Sequence, residues 1–155
     1  MVVKPVTLLV QRETGAEDLP LPSYATAGAA GLDLLAAVDS DVLLQPGERK
    51  LISTGIRVAI PEGFEGQIRP RSGLALNHGI GMVNAPGTID SDYRGVIRII
   101  LINLGDQPFT VRRGDRIAQL IIAPVAQASI VETASLPETG RNDGGFGHTG
   151  VNRES

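Results

Sequence analysis

The chain has no cysteine and no tryptophan, and only two histidines, two tyrosines and three phenylalanines in 155 residues. Without cysteine there is no disulfide, no thiolate nucleophile and no cysteine zinc site, which fits a reducing compartment and makes the cytoplasm the expected location. His78 and His148 stand far apart in sequence, so neither a histidine metal cage nor a Ser-His-Asp relay has support. No N-terminal basic-plus-apolar signal pattern is present, and no apolar run approaches the length of a membrane span. No membrane partner is expected. With a formal net charge of −3, broad attraction to a nucleic acid polymer is not expected either.

What is abundant points to β-structure. The 19 glycines and 10 prolines punctuate short apolar runs at fairly even spacing, as a small all-β domain requires. The length suits one core. Predicted strands are Val6–Gln11, Asp41–Leu44, Glu48–Ile60, Glu65–Arg69, Gly79–Val83, Gly95–Asn103, Thr110–Val111, Arg116–Ala123 and Ser129–Thr133, with turn signals such as Gln45-Pro46-Gly47 and Arg113-Gly114-Asp115 between them. In Gly95–Asn103, Ile97, Ile99 and Leu101 alternate with Arg98, Ile100 and Ile102, so that strand is expected to bury much of both faces. One short helix is expected over Ser72–Asn77, with Ser72 as a possible N-cap and Gly79 after its end. The domain is expected over residues 1–136, with 137–155 a flexible glycine-rich C-terminal arm.

Several segments carry chemistry. Only Lys4 and Lys50 of the 14 basic residues are lysine, a bias toward the planar fork that pairs bidentately with phosphate or carboxylate. Pro70-Arg71-Ser72-Gly73-Leu74-Ala75 ends a predicted strand and opens the helix. Free N–H groups, the Ser72 hydroxyl, the Arg71 fork and the bare Gly73 could receive an anion there, or the segment could be a plain capped turn. The segment 84–95, Asn84-Ala85-Pro86-Gly87-Thr88-Ile89-Asp90-Ser91-Asp92-Tyr93-Arg94-Gly95, is the richest. The Asn84 amide can donate and accept at once, as a pyrimidine edge requires, and Tyr93 offers a flat apolar face to a sugar. Asp90 could orient and deprotonate a water, or belong to an ordinary Asx-turn. Asp33, in the glycine-rich run 27–34, could contact the hydration shell of a divalent metal or pair with an arginine. In Gly114-Asp115-Arg116-Ile117-Ala118-Gln119-Leu120-Ile121, which sets Asp115 and Arg116 at a strand start, Gln119 could donate to a phosphate or be satisfied by backbone.

The end of the chain is different in kind. In Arg141-Asn142-Asp143-Gly144-Gly145-Phe146-Gly147-His148-Thr149-Gly150 a lone aromatic ring sits among glycines, where it cannot join a core. An arginine, a hydroxyl and unobstructed N–H groups accompany it, the parts needed to hold a phosphate and stack a ring. Composition alone favours a disordered polar terminus. Both descriptions are compatible with a tail that orders over a nucleotide.

Taken in order, these five segments resemble the five motifs of the homotrimeric deoxyuridine triphosphate nucleotidohydrolases, the dUTPases. The resemblance runs from Ala27 to Gly150. It implies a jelly-roll-like β-barrel, a homotrimer with shared active sites, and hydrolysis of dUTP to dUMP and pyrophosphate by water attack at the α-phosphorus. Such an activity keeps dUTP low and supplies dUMP for thymidylate synthesis. The resemblance makes Asp90 the catalytic residue that activates the water. It assigns uracil reading to Asn84 and the neighbouring backbone of Gly87, Thr88 and Ile89, and packing on deoxyribose to Tyr93. Arg71, Ser72, Gly73 and Gln119 would hold the phosphates. Arg141, Gly147 and Thr149 would grip the γ-phosphate while Phe146 stacks on uracil, and Arg98 is a further basic candidate. Asp33 would hold a water of Mg²⁺, the metal sitting mainly on the triphosphate. Val96 and His148 depart from the residues frequent in relatives, and neither touches the expected contacts.

Two other readings fit part of the pattern. A dCTP deaminase of the same superfamily would share the fold and part of the phosphate site, but the glycine-phenylalanine tail and the Ile89-Asp90 to Tyr93 segment argue against it. A non-catalytic nucleotide-binding regulator would keep the pocket, and the intact Asp90 weighs against that.

Overall fold

The computed structural model describes residues 5–146. Its described part is mostly β-structure with one short helix, as expected. The order is β1 (Leu9–Arg12), β2 (Leu32–Leu35), β3 (Val42–Leu44), β4 (Arg49–Ser53), β5 (Ile56–Ala59), β6 (Phe64–Arg69), α1 (Ser72–His78), β7 (Ile80–Met82), β8 (Gly87–Ile89), β9 (Arg98–Asn103), β10 (Phe109–Val111) and β11 (Arg116–Pro124). All pairings between these strands are antiparallel, in the orders β2-β11-β6-β8, β4-β9-β7, β1-β5 and β10-β3. The ladder does not run round a closed barrel. No helix among the described residues is long and apolar enough to cross a membrane.

Side-chain alternation sends one set of residues inward from each sheet. Leu34, Leu44, Ile52, Ile68, Ile97, Ile99, Leu101, Val111, Ile117 and Leu120 meet in one buried cluster. In β9, Ile99 and Leu101 are buried, as is Ile97 just before it, whereas Ile100 and Ile102 are half-buried and Arg98 is exposed. One face of that strand is therefore core, and the other is only partly covered by this chain.

Three expectations differ from the structure. The run Glu48–Ile60 divides into β4 and β5 because Gly55 has φ +66, a left-handed conformation that ends a strand. Residues Ser129–Thr133 form no strand: no neighbouring strand pairs with them, and Ile130 and Val131 are exposed. The helix is capped by Arg71 in extended conformation with no side-chain cap bond, so Ser72 lies inside the helix. Its far end agrees with expectation, since Gly79 adopts φ +68 and its N–H returns to Ala75. Strands β2 and β8, only four and three residues long, carry too little periodicity to be marked by sequence, and pairing with the longer β11 and β6 sustains them.

Asn103 is the polar centre of the fold. Its side chain is fully buried, and its Nδ2 donates to the carbonyls of Leu44 at 3.0 Å and Gln107 at 2.8 Å while Oδ1 accepts from the Gly105 N–H at 2.9 Å. These bonds tie the ends of β3 and β9 to the loop before β10. At the surface, Arg113 donates to both carboxylate oxygens of Asp18 at 2.9 and 2.5 Å and to the carbonyls of Gly15 and Val38.

Replacing Asn103 with Ala leaves two carbonyls and one N–H without partners, and urea unfolding at fixed protein concentration is expected to show a loss of about 1–3 kcal/mol. Acid should act on the surface carboxylates. Hydrogen bonds hold three carboxyls below their ordinary values: Asp18 through Arg113, Glu13 through Arg57, and Glu48 through the Gln45 N–H. A depressed folded pKa contributes stability that is present above the unfolded value and lost as pH falls through the folded one. The melting temperature should therefore fall below about pH 4, and Asp18→Asn should flatten that fall in a series of thermal melts.

Candidate functional site

The four-stranded sheet positions the site residues. One row of its register runs Leu32, Leu120, Ile68, Gly87 across β2, β11, β6 and β8, and the next runs Asp33, Gln119, Arg69. Directly opposed residues share a face. The first row points to the core, where Leu120 and Ile68 are buried. The second faces away from it and brings Asp33 beside Gln119.

Beyond β8 the chain makes a small cavity of about 210 Å³, lined among others by Asn84, Gly87, Thr88, Ile89, Asp90, Tyr93 and Arg98. Whole ligands occupy pockets of about 300–1,000 Å³, so this one is sized for part of a ligand. Its shape depends on two glycines. A Cβ on Gly87 would lie 3.3 Å from the Ile68 Cβ and 3.4 Å from the Asn84 Nδ2, and one on Gly95 would overlap the Tyr93 phenol. The bare backbone thus lets Asn84 and Tyr93 close the slot from two sides.

Tyr93 is fixed at both ends. Its Oη donates to the Val96 carbonyl at 3.2 Å, and its N–H donates to the Asp90 carbonyl at 3.1 Å, closing a tight turn. The Asp90 carboxylate is exposed at the mouth of the cavity and accepts no bond from any described residue. It is free to accept a proton from a bound water.

A second group gathers around Asp33. This carboxylate is 8% exposed, yet it faces Arg71 Nε at 3.6 Å, Arg116 Nη1 at 3.3 Å and Gln119 Nε2 at 3.4 Å. Arg71 also donates to the Arg116 carbonyl at 3.1 Å. Next to them lies an open groove of about 590 Å³ whose lining includes Arg71, Arg112 and Arg116. Three guanidiniums on one groove favour an anion. Ser72 and Gly73 are exposed in the first turn of α1, beside Arg71.

Arg116 was not singled out by the sequence reading. Strict alternation from Gln119 would turn it toward the core, but β11 changes register against β2 between Arg116 and Ala118. The bulge re-aims the side chain onto the Asp33 face. No sequence signal marks that bulge.

The two groups remain apart in one chain. The cavity of Asn84, Asp90 and Tyr93 shares no lining residue with the groove of Arg71 and Arg116. Arg141 and Phe146 join neither. Arg141 donates to the Gly144 carbonyl at 2.8 Å, while the Phe146 ring is fully exposed and its backbone adopts φ 47. Gly147 and Thr149 lie outside the described residues.

The donor set also bears on a metal. Among the described residues no three His, Cys, Asp or Glu side chains cluster, so there is no protein cage. The contacts of Asp33 are longer than the roughly 2.7–2.9 Å of a strong charged hydrogen bond, which leaves lone pairs for a metal-bound water. These residues fit a hard ion that arrives on a polyphosphate and keeps most of its waters.

Comparison with known proteins identifies the family. A family model described as dUTPase matches residues 17–150. The chain is 56% identical over 146 residues to the deoxyuridine 5'-triphosphate nucleotidohydrolase of Caldanaerobacter subterraneus subsp. tengcongensis, covering 94% of this chain and 99% of that one. It is 58% identical over 150 residues to the deoxyuridine 5'-triphosphate nucleotidohydrolase of Methylocella silvestris, covering 96% and 94%. Among solved structures it is similar to the Staphylococcus bacteriophage 80alpha dUTPase with dUPNHPP, with a TM-score of 0.83, 26% identity, and coverage of 94% and 99%. With the slot behind Gly87, the arginine groove and a match spanning residues 17–150, the chain belongs to the dUTPase family.

Proposed function

We propose that this protein hydrolyses dUTP to dUMP and pyrophosphate, keeping dUTP low and supplying dUMP for thymidylate synthesis. The observation that carries the reading is the convergence of Asn84, Asp90 and Tyr93 on one small slot whose wall is thinned by Gly87. Asn84 and the backbone of Gly87, Thr88 and Ile89 read the uracil edge. A slot this narrow rejects thymine by clash with its methyl group, since favourable contact alone discriminates one methyl weakly. Tyr93, held over Gly95, packs on the deoxyribose and leaves no room for a 2′-hydroxyl.

Asp90 takes a proton from the attacking water as the new oxygen–phosphorus bond forms at the α-phosphorus. The bond from that phosphorus to the bridging oxygen breaks, and pyrophosphate leaves. Arg71, Ser72, Gly73 and Gln119 hold the phosphates, with Arg98 a further cation at the slot. Mg²⁺, when bound, supplies charge neutralisation on the triphosphate. Asp33 would hold one of the waters of that ion.

The slot and the arginine groove do not meet within one chain, which supports a homotrimer of jelly-roll-like barrels in which each active site takes residues from more than one subunit. The segment 137–155 then acts as an arm that closes the site. Arg141, Gly147 and Thr149 grip the γ-phosphate, and the otherwise solvent-exposed ring of Phe146 stacks on the base. Closure excludes bulk water from the reacting phosphorus.

A pyrophosphate-release assay with dUTP, dTTP, dCTP and UTP tests the activity: turnover confined to dUTP is expected, and ammonia release from dCTP without pyrophosphate from dUTP would overturn it. Asp90→Asn should lower turnover by about 10²–10⁴-fold while retaining affinity for a non-hydrolysable dUTP analogue in a calorimetric titration. Unchanged turnover would remove Asp90 from the mechanism. Truncation after Leu136 should preserve the trimer in sedimentation and strongly depress kcat/KM; full activity in the shortened chain would rule out the closing arm.

A further inference from the structure

Arg57 lies on β5, outside both cavities, and its guanidinium joins two distant parts of the chain. Its Nε donates to Glu13 Oε1 at 2.6 Å, and its Nη1 donates to the Arg94 carbonyl at 3.1 Å. Glu13 directly follows β1 and is itself anchored, because its N–H donates to the Gly55 carbonyl at 2.8 Å. Arg94 ends the turn that begins at Asp90.

That turn is bonded almost entirely to itself. The Tyr93 N–H donates to Asp90, and Arg94 Nη1 donates to the carbonyls of Ser91 at 2.6 Å and Tyr93 at 2.8 Å. Such bonds preserve the shape of a turn without fixing where it stands. Its ends are placed by backbone pairing, Ile89 with Gly66 and the Ile97 N–H with the Ile56 carbonyl, and the Arg57 contact adds a side-chain bond to the turn itself from the β1-β5 sheet. Glu13 and Arg57 keep 37% and 41% of their side chains exposed, so water screens their attraction and the ion pair itself contributes little. Its use is directional: with Nε occupied by Glu13, the planar fork aims Nη1 at Arg94.

We propose that Arg57, oriented by Glu13, is a positioning residue that fixes the Asp90–Arg94 turn against the β1-β5 sheet and so sets the aim of Asp90 and Tyr93. Its effect on turnover rests on the reading of Asp90 as the base. The hold on the turn does not. The Arg57 hydrogen bond keeps the Glu13 carboxyl below its ordinary value, so the link persists across neutral pH.

The test combines hydrogen exchange with kinetics on the full chain, using Arg57→Ala, Arg57→Lys, Glu13→Gln and the Glu13→Gln/Arg57→Ala double variant. In Arg57→Ala, exchange in a peptide spanning residues 90–95 should accelerate while the β9 and β11 peptides stay unchanged. The kcat for dUTP should fall about tenfold to a hundredfold, with a smaller change in KM. Lysine keeps the charge but lacks the fork, so it should restore little. Glu13→Gln should give a partial loss and add nothing to Arg57→Ala in the double variant, because Glu13 acts through Arg57. Unchanged exchange at 90–95, full recovery by lysine, additive losses, or faster exchange with unaltered kcat would each overturn the proposal. A wild-type protein without dUTP turnover would instead refute the activity, and the exchange comparison would still decide whether Arg57 holds the turn.

Discussion

The pairing of β6 with β11 on one side and β8 on the other sets where the candidate site residues stand. Strand β6 is the strip from which both groups hang: its end leads through Arg71 into α1, its partner β11 carries Arg116 and Gln119, and its partner β8 leads into Asp90. A one-residue slip between β6 and β8 would move the Gly87–Ile68 contact and open the wall behind Asn84. Ile68 on β6 and Ile89 on β8, both packed in or against the core, oppose such a slip, since it would carry an apolar side chain away from it. Core packing and site geometry are thus the same constraint seen from two faces of one sheet.

The two groups solve different problems. The slot combines the bare backbone of Gly87 with apolar walls such as Ile68 and Ile89 and the side chains of Asn84 and Tyr93, a narrow shape that selects by fit. The groove is lined by Arg71, Arg112 and Arg116 together with Asp115, and beside it the buried carboxylate of Asp33 contacts Arg71 and Arg116. An incoming polyphosphate would find guanidiniums already oriented, with less rearrangement needed on binding. Of the two roles that its sequence context left open for Asp33, the arginine partnership is the one seen in the structure.

Rigidity follows the same division. The turn holding Asp90 and Tyr93 is braced by its own hydrogen bonds and tied to the sheet through Arg57, while residues after Pro124 add no strand among the described residues.

Much of this was legible in the sequence. Turn residues and β-periodicity marked the class of fold, and the segments 70–75 and 84–95 nominated Arg71, Asn84, Asp90 and Tyr93 by local chemistry, while the full set of candidate roles was implied only by the resemblance to the dUTPases. The strand expected at Ser129–Thr133 failed because apolar character specifies a strand only when a neighbour pairs with it. Arg116 and Arg57 were not visible as site-related residues, since each takes its place through contacts with residues far along the chain: Arg116 through a bulge against β2, Arg57 through Glu13 and Arg94. Residue identity determined which groups could bind, read or abstract a proton. Only the tertiary structure decided which of them face one another, because register and bulges depend on long-range pairing that no local pattern encodes.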